Sequence, residues 1–260
     1  DQIPADQIDR IEVITNPSSR YQAAGTAGII NVILKKNTLE GLSGSLTVSN
    51  AVIAYTNVNS SINYKTNKVN LFTTLGYRFV DNRIFESVLQ NSLVNTTSIL
   101  LDRRTDEYRN SRDINIYVGF DYSLSESSNF TASYYKVLTK RNNSLRYDYD
   151  YFNSLQNLDS TIVRNEKYYE PMDHNQIEAT YTKNFEKKGK TLLVDFQYDF
   201  WDEDENEDFL TQTIFPTLQD NIISRTLDIE SSKDFLLQID FVNPVNEASN
   251  FEAGFRGETR

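Results

Sequence analysis

From residue 41 onward, apolar and polar side chains alternate with a period of two. The alternation predicts nine strands, at 43–53, 57–66, 69–80, 113–124, 129–140, 173–185, 190–201, 233–243 and 250–260. In 69–80, Val69, Leu71, Thr73, Leu75, Tyr77 and Phe79 point one way, opposed by Asn70, Phe72, Thr74, Gly76 and Arg78. Ile114, Ile116, Val118, Phe120, Tyr122 and Leu124 likewise oppose Asn115, Tyr117, Gly119, Asp121 and Ser123. The strands at 190–201 and 233–243 repeat the pattern, with Asp195, Asp199, Gln238 and Asp240 on the polar side. Each strand has an apolar face and a face carrying charge or amide.

The connections alternate between short and long. Asn67-Lys68, Ser125 to Ser128, Glu186 to Gly189 and Asn243 to Ser249 are short, whereas 81–112, 142–172 and 202–232 are read as long loops. Structureless loops beyond about 12–15 residues are unusual in a compact domain. Up-and-down antiparallel strands place all short turns on one rim and all long connections on the other. A soluble β-sandwich also alternates, but its strands are shorter, with a mode of about 5–6 residues. Strands of 9–11 residues or more, short turns on one side and long loops on the other fit a transmembrane β-barrel better. Tyr77, Phe79, Tyr122, Tyr134, Tyr181, Phe185, Phe200 and Trp201 lie near strand ends, where interfacial aromatic girdles sit.

Composition narrows the chemistry. The chain has 260 residues and a net charge of -11, which argues against a nucleic-acid binder. It contains no cysteine and one histidine, His174, so disulfides, thiolate metal sites and a cysteine nucleophile are excluded. No apolar run is long enough for a transmembrane helix, and Asp1-Gln2-Ile3-Pro4 does not open a signal peptide. Aromatic residues make up 12 % of the chain, a heavy load for so hydrophilic a composition. Residues 1–36 have a different texture. Pro4 suits a first helical turn, Ile8 to Ile14 alternates like a strand, Asn16-Pro17-Ser18-Ser19 is a turn, and Ile29 to Lys36 reads as a buried strand. This opening segment is expected to be a compact α+β piece.

Three motifs in that segment carry a family resemblance. Ile8-Asp9-Arg10-Ile11-Glu12-Val13-Ile14, Asn16-Pro17-Ser18-Ser19-Arg20-Tyr21 and Gly25-Thr26-Ala27-Gly28-Ile29-Ile30-Asn31-Val32-Ile33-Leu34-Lys35-Lys36 resemble, in order and spacing, the end of the plug domain of TonB-dependent outer-membrane receptors. The wording is most similar to the outer-membrane β-barrel family common in Bacteroidota, although Asn16 stands where many members have glycine. The resemblance implies a division into the end of a plug at 1–36 and the first part of a barrel at 37–260. It implies a barrel of about 22 strands, gated by the plug and driven by the TonB complex through parts outside this chain. Nine strands ending in mid-strand at Glu258-Thr259-Arg260 do not close such a barrel, so the chain is expected to be an internal part of a larger receptor. The expected fold class is therefore an all-β, antiparallel transmembrane barrel, partial at about nine strands and preceded by the α+β end of a plug.

The function implied is uptake of a scarce solute, peptide or oligosaccharide across the outer membrane of a Gram-negative cell, without covalent chemistry. A non-transporting surface protein for binding or adhesion is the alternative, and a passive porin is disfavoured because a plug obstructs diffusion. No nucleophile elbow, phosphate loop or catalytic acid/base pair is present, so no enzyme and no cofactor are expected. Arg10 and Glu12 are candidates for plug–barrel contact by the resemblance. Tyr147, Tyr149, Tyr151, Tyr168 and Tyr169 are candidate ligand contacts on the stretch 142–172. Asn70, Arg78, Asn115, Asp121, Glu178, Asp195, Asp199, Gln238 and Asp240 are expected to face the lumen. His174 is expected to make a structural hydrogen bond. Asp202, Asp204, Asn206 and Asp208 have the alternate spacing of a Ca²⁺ loop. Glu207 occupies the turn position where glycine is needed and no bidentate Glu follows, so a solvated acidic loop without metal is expected.

Overall fold

A computed structural model describes residues 8–14, 29–34, 40–52, 54–94, 97–219, 221–246 and 249–259, the first two as backbone only. Every regular element among them is a strand: β1 (Ile8–Ile14), β2 (Ile29–Leu34), β3 (Gly41–Ala51), β4 (Tyr55–Lys65), β5 (Val69–Val94), β6 (Thr97–Ser125), β7 (Ser128–Phe152), β8 (Leu158–Asn184), β9 (Thr191–Phe215), β10 (Ile222–Asn246) and β11 (Ser249–Thr259). β1 and β2 form a two-stranded antiparallel sheet, with Ile11 opposite Val32 and Glu12 opposite Asn31. β3 to β11 form one nine-stranded antiparallel meander in chain order, and β3 and β11 are each paired on one side only. The nine strands expected from the alternation are therefore present. The helical turn expected around Pro4 and the turn expected at Asn16-Pro17-Ser18-Ser19 lie outside the described residues.

Register shows why the alternation matters. Directly opposed residues in an antiparallel sheet share a face. Leu42, Tyr64, Leu71, Phe120, Ala132, Ala179, Phe196 and Leu237 follow one another across eight strands in a single row. The neighbouring row runs through Ile62, Thr73, Val118, Tyr134, Ile177, Tyr198 and Phe235. These rows build a continuous apolar band on one face. Many of its members are open, Leu42 at 75 % and Phe255 at 59 % among them. Val163 is the one buried hydrophobic side chain among the described residues. A sandwich would bury one face of this sheet against a second sheet, as a core about 10 Å thick. Among the described residues no second layer covers it, which speaks against a sandwich.

The long connections are not loops, which corrects the expectation for 81–112, 142–172 and 202–232. β5 to β10 run 25–29 residues each and continue past the band as tall hairpins. The β7–β8 hairpin closes on Asn153, whose Oδ1 accepts from the amides of Leu155 (3.0 Å) and Asn157 (3.1 Å), with Gln156 at a φ of 59°. Sequence periodicity misses these extensions because neither face is consistently apolar: Phe85, Leu89, Leu227 and Ile229 stand singly among polar and charged neighbours. Their register is pinned instead by cross-strand ion pairs, such as Arg104 to Asp150 at 2.5 Å and Arg225 to Asp208 at 2.5 Å.

The outward face marks where the band ends. Phe79 gives way to Asp81 and Arg83, Ile114 to Arg112, Leu138 to Lys140, Ile177 to Asn175 and Asp173, Phe200 to Asp202, and Phe235 to Lys233. The band spans 11 residues on β5 and β6 and 9 on β9, roughly 25 Å when tilted as barrel strands are, and is shorter on β8, where it runs from Ile177 to Tyr181. At the upper edge Lys136 reaches Asp173 at 2.8 Å. Trp201 departs from the girdle expectation: it lies opposite His174, on the polar face.

Glycine matters where strands approach closely, as at Gly119. A Cβ at Gly119 would lie 2.6 Å from the Ala132 carbonyl oxygen and 2.6 Å from the Phe72 ring, which covers the glycine from the next strand. Gly119→Val is expected to lower stability by about 1–3 kcal/mol. A lower temperature for loss of heat-modifiable migration on gels would register it.

Candidate ligand-facing wall

The face opposite the band is a ladder of polar side chains. Asn70 Nδ2 donates to Asp121 Oδ2 at 2.9 Å, Thr131 donates to Asp121 Oδ1 at 2.8 Å, and Thr180 donates to Asp195 Oδ1 at 2.6 Å. Arg256 donates to Gln238 at 3.0 Å, and Gln238 donates to Asp240 at 2.6 Å. Arg78 Nε donates to Asp113 at 2.6 Å, with Thr139 donating to the other oxygen at 2.9 Å. Register places all nine residues expected to face the lumen on this side. His174 Nε2 is 2.9 Å from Asp199 Oδ2, the structural hydrogen bond expected of it, and Tyr135 meets its ring edge-on at 6.1 Å.

In the extensions, the same face carries an acid-rich centre. Glu170 is 2 % exposed and accepts hydrogen bonds from Arg141 and Tyr168. Burial alone would raise its carboxyl, but the bonds from Tyr168, Arg141 and Glu203 outweigh it and hold the group below its ordinary range. Glu203, hydrogen-bonded to Glu170 and pressed further by burial and the negative charge, is pushed up to about 7. The two carboxyls therefore hold one proton between them in mildly acidic solution and lose it through neutrality. The sign follows from linkage. Glu203 binds its proton more tightly folded than unfolded, so stability falls as pH rises from about 4.5 to about 7, then levels. A carboxyl ¹³C titration should find one Glu with a midpoint near neutrality. That midpoint should vanish in Glu203→Gln, and persistence in the variant would refute the assignment.

The five tyrosines separate. Tyr147, Tyr149, Tyr151 and Tyr168 lie on the polar face, whereas Tyr169 is on the outward face and 43 % exposed. Tyr147 and Tyr149 stack at 5.8 Å and 23°, while Tyr168 is engaged with Glu170 two rows below Arg164. The side chains of Arg10 and Glu12 lie outside the described residues, and β1 shows only their backbone pairing. The acidic run is strand: Asp202, Asp204, Asn206 and Asp208 succeed one another along the outward face of β9, and Glu203, Glu205 and Glu207 along the other. Asp202 to Asp208 span about 20 Å along the extended strand, too far for all four to converge on one ion. No cluster of potential metal ligands occurs among the described residues. Sequence reading missed Arg103, Thr105, Arg164 and Phe209 as neighbours of the tyrosines. Only the pairing of four strands reveals them.

An antiparallel meander with a lipid-height apolar band on one face and a hydrogen-bonded polar wall on the other defines a transmembrane β-barrel architecture. Residues 183–260 match the model of the outer membrane protein beta-barrel family. That match spans the end of β8 and all of β9, β10 and β11. No curated protein matches the chain.

Proposed function

We infer that the chain forms part of the wall of a TonB-dependent outer-membrane transporter, which binds a scarce solute at the cell surface and imports it as a plug yields. The observation that carries the reading is the division of every long strand within a step of about two rows. Below it one face is apolar and one polar, and above it both faces carry charge with only scattered apolar side chains such as Phe85 and Leu227. The family similarity over 183–260 supports the outer-membrane setting. The resemblance of residues 8–36 to the end of a plug supports TonB dependence, since a plug has to be moved for a solute to pass. No covalent step belongs to this function; the partners are lipid, the TonB complex and a solute.

Two measurements test it. Tags inserted in the 153–157 turn are expected to be labelled on intact cells, and tags in the 126–127 turn only after the outer membrane is opened. Deleting the gene and deleting the TonB complex should abolish growth on the same solute. Uptake that persists without the TonB complex would defeat the transport reading. A deletion that impairs surface attachment but no uptake would favour the adhesion alternative.

A further inference from the structure

The polar face of β6, β7 and β8 carries an aromatic and cationic cluster well above the apolar band. Register sets Arg103 opposite Tyr149, and Thr105 opposite Tyr147, which in turn opposes Arg164. The stacked tyrosines thus stand on β7 with one guanidinium on each flanking strand. The Arg164 guanidinium lies 4.4 Å from the centroid of the Phe209 ring. Two donors here lack a hydrogen-bond partner although their atoms are buried: Arg103 Nε and Thr105 Oγ1. Thr105 is only 7 % exposed. Arg103 reaches Glu86 at a loose 3.5 Å. Arg164 Nε pairs with Glu166 at 2.6 Å. Buried donors without acceptors are costly and rare, so two beside one aromatic pair call for an acceptor from outside the chain.

We propose that this cluster is a recognition subsite for a ring-bearing solute with an acid group at each end, its rings lying on Tyr147 and Tyr149 and its acid groups held by Arg103 and Arg164. The proposal rests on the barrel reading, which turns this face toward the water-filled mouth. Two strand spacings separate β6 from β8, roughly 10 Å, which suits a core of one or two fused rings. Guanidinium forks take carboxylates in two parallel bonds, and tyrosine faces accept flat rings with little entropy to lose. Glu203, Glu205, Glu207 and Asp228 on β9 and β10 repel a dianion and confine it to β6–β8.

The test titrates the full-length protein, purified from outer membranes in detergent, calorimetrically with naphthalene-2,6-dicarboxylate. Benzoate and maltotriose are the contrasting probes. The dicarboxylate is expected to bind saturably, benzoate at least about tenfold more weakly, and maltotriose not at all. Arg103→Gln and Arg164→Gln should each weaken dicarboxylate binding about tenfold, and Arg164→Lys less, because the charge remains without the fork. Heat-modifiable migration establishes that each variant is folded. No saturable binding, binding indifferent to both glutamine variants, or preference for maltotriose overturns the subsite. If TonB-dependent uptake survives that result, the subsite fails alone. If the dicarboxylate binds as expected but uptake ignores the TonB complex, the transport reading fails alone.

Discussion

Replacing Val118 with arginine is expected to stop this sheet from inserting, even though Val118 is 44 % exposed. At an exposed strand position in water, such a change shifts stability by no more than about 0.5 kcal/mol. Val118 lies mid-band between Thr73 and Tyr134, with the apolar stretch from Ile114 to Leu124 above and below it. A lipid-facing arginine at the midplane of a barrel costs about 2–4 kcal/mol. The readout is the yield of heat-modifiable protein in the outer membrane, with Asn110→Arg as the comparison. Asn110 shares the outward face of β6 but lies above the band, where charge is already common. Val118→Arg should lose most of the inserted protein and Asn110→Arg almost none. Equal tolerance at both sites would show that the exposed apolar rows do not meet lipid.

The second large effect belongs to Arg141. Glu170 is nearly sealed from solvent, and Arg141 is the one cation among the described residues that donates to it. Removing one partner of a fully buried pair costs about 3–5 kcal/mol. Arg141 is itself partly open and Tyr168 keeps its bond, so Arg141→Ala is expected to cost about 1–3 kcal/mol. The loss should be local. Hydrogen exchange is expected to accelerate between 142 and 170 while amides of the band stay protected. Adding Glu170→Gln should return most of the protection, because the buried charge is then gone. Faster exchange that the second substitution does not repair would assign the effect to lost packing instead. Because β7 also carries Tyr147 and Tyr149, loosening this hairpin should weaken dicarboxylate binding as well.

How much was readable from the residues differs between the two levels of the sheet. Below the rim, alternation such as Leu71-Phe72-Thr73-Thr74-Leu75 reports the environment directly, because lipid and lumen impose opposite polarity on successive side chains. Strand starts at 69, 128 and 191 accordingly fall within a residue of expectation. Above the rim, water lies on both faces and nothing forces a period of two. Arg103-Arg104-Thr105-Asp106-Glu107 has no apolar phase and reads as loop, yet it is strand.

The nine-strand meander, the band with its polar reverse and the sites of the short turns are written in the order of the residues, since each is a local consequence of which side chains tolerate lipid. That the long connections rise as hairpins emerges only from pairing across the sheet. Only that pairing could assemble Glu170 with Arg141, Tyr168 and Glu203, or set Arg103 and Arg164 on either side of Tyr147 and Tyr149. The members of each group lie up to about sixty residues apart in the chain. Their meeting depends on cross-strand register, which backbone pairing and ion pairs set over the whole hairpin and no local pattern encodes.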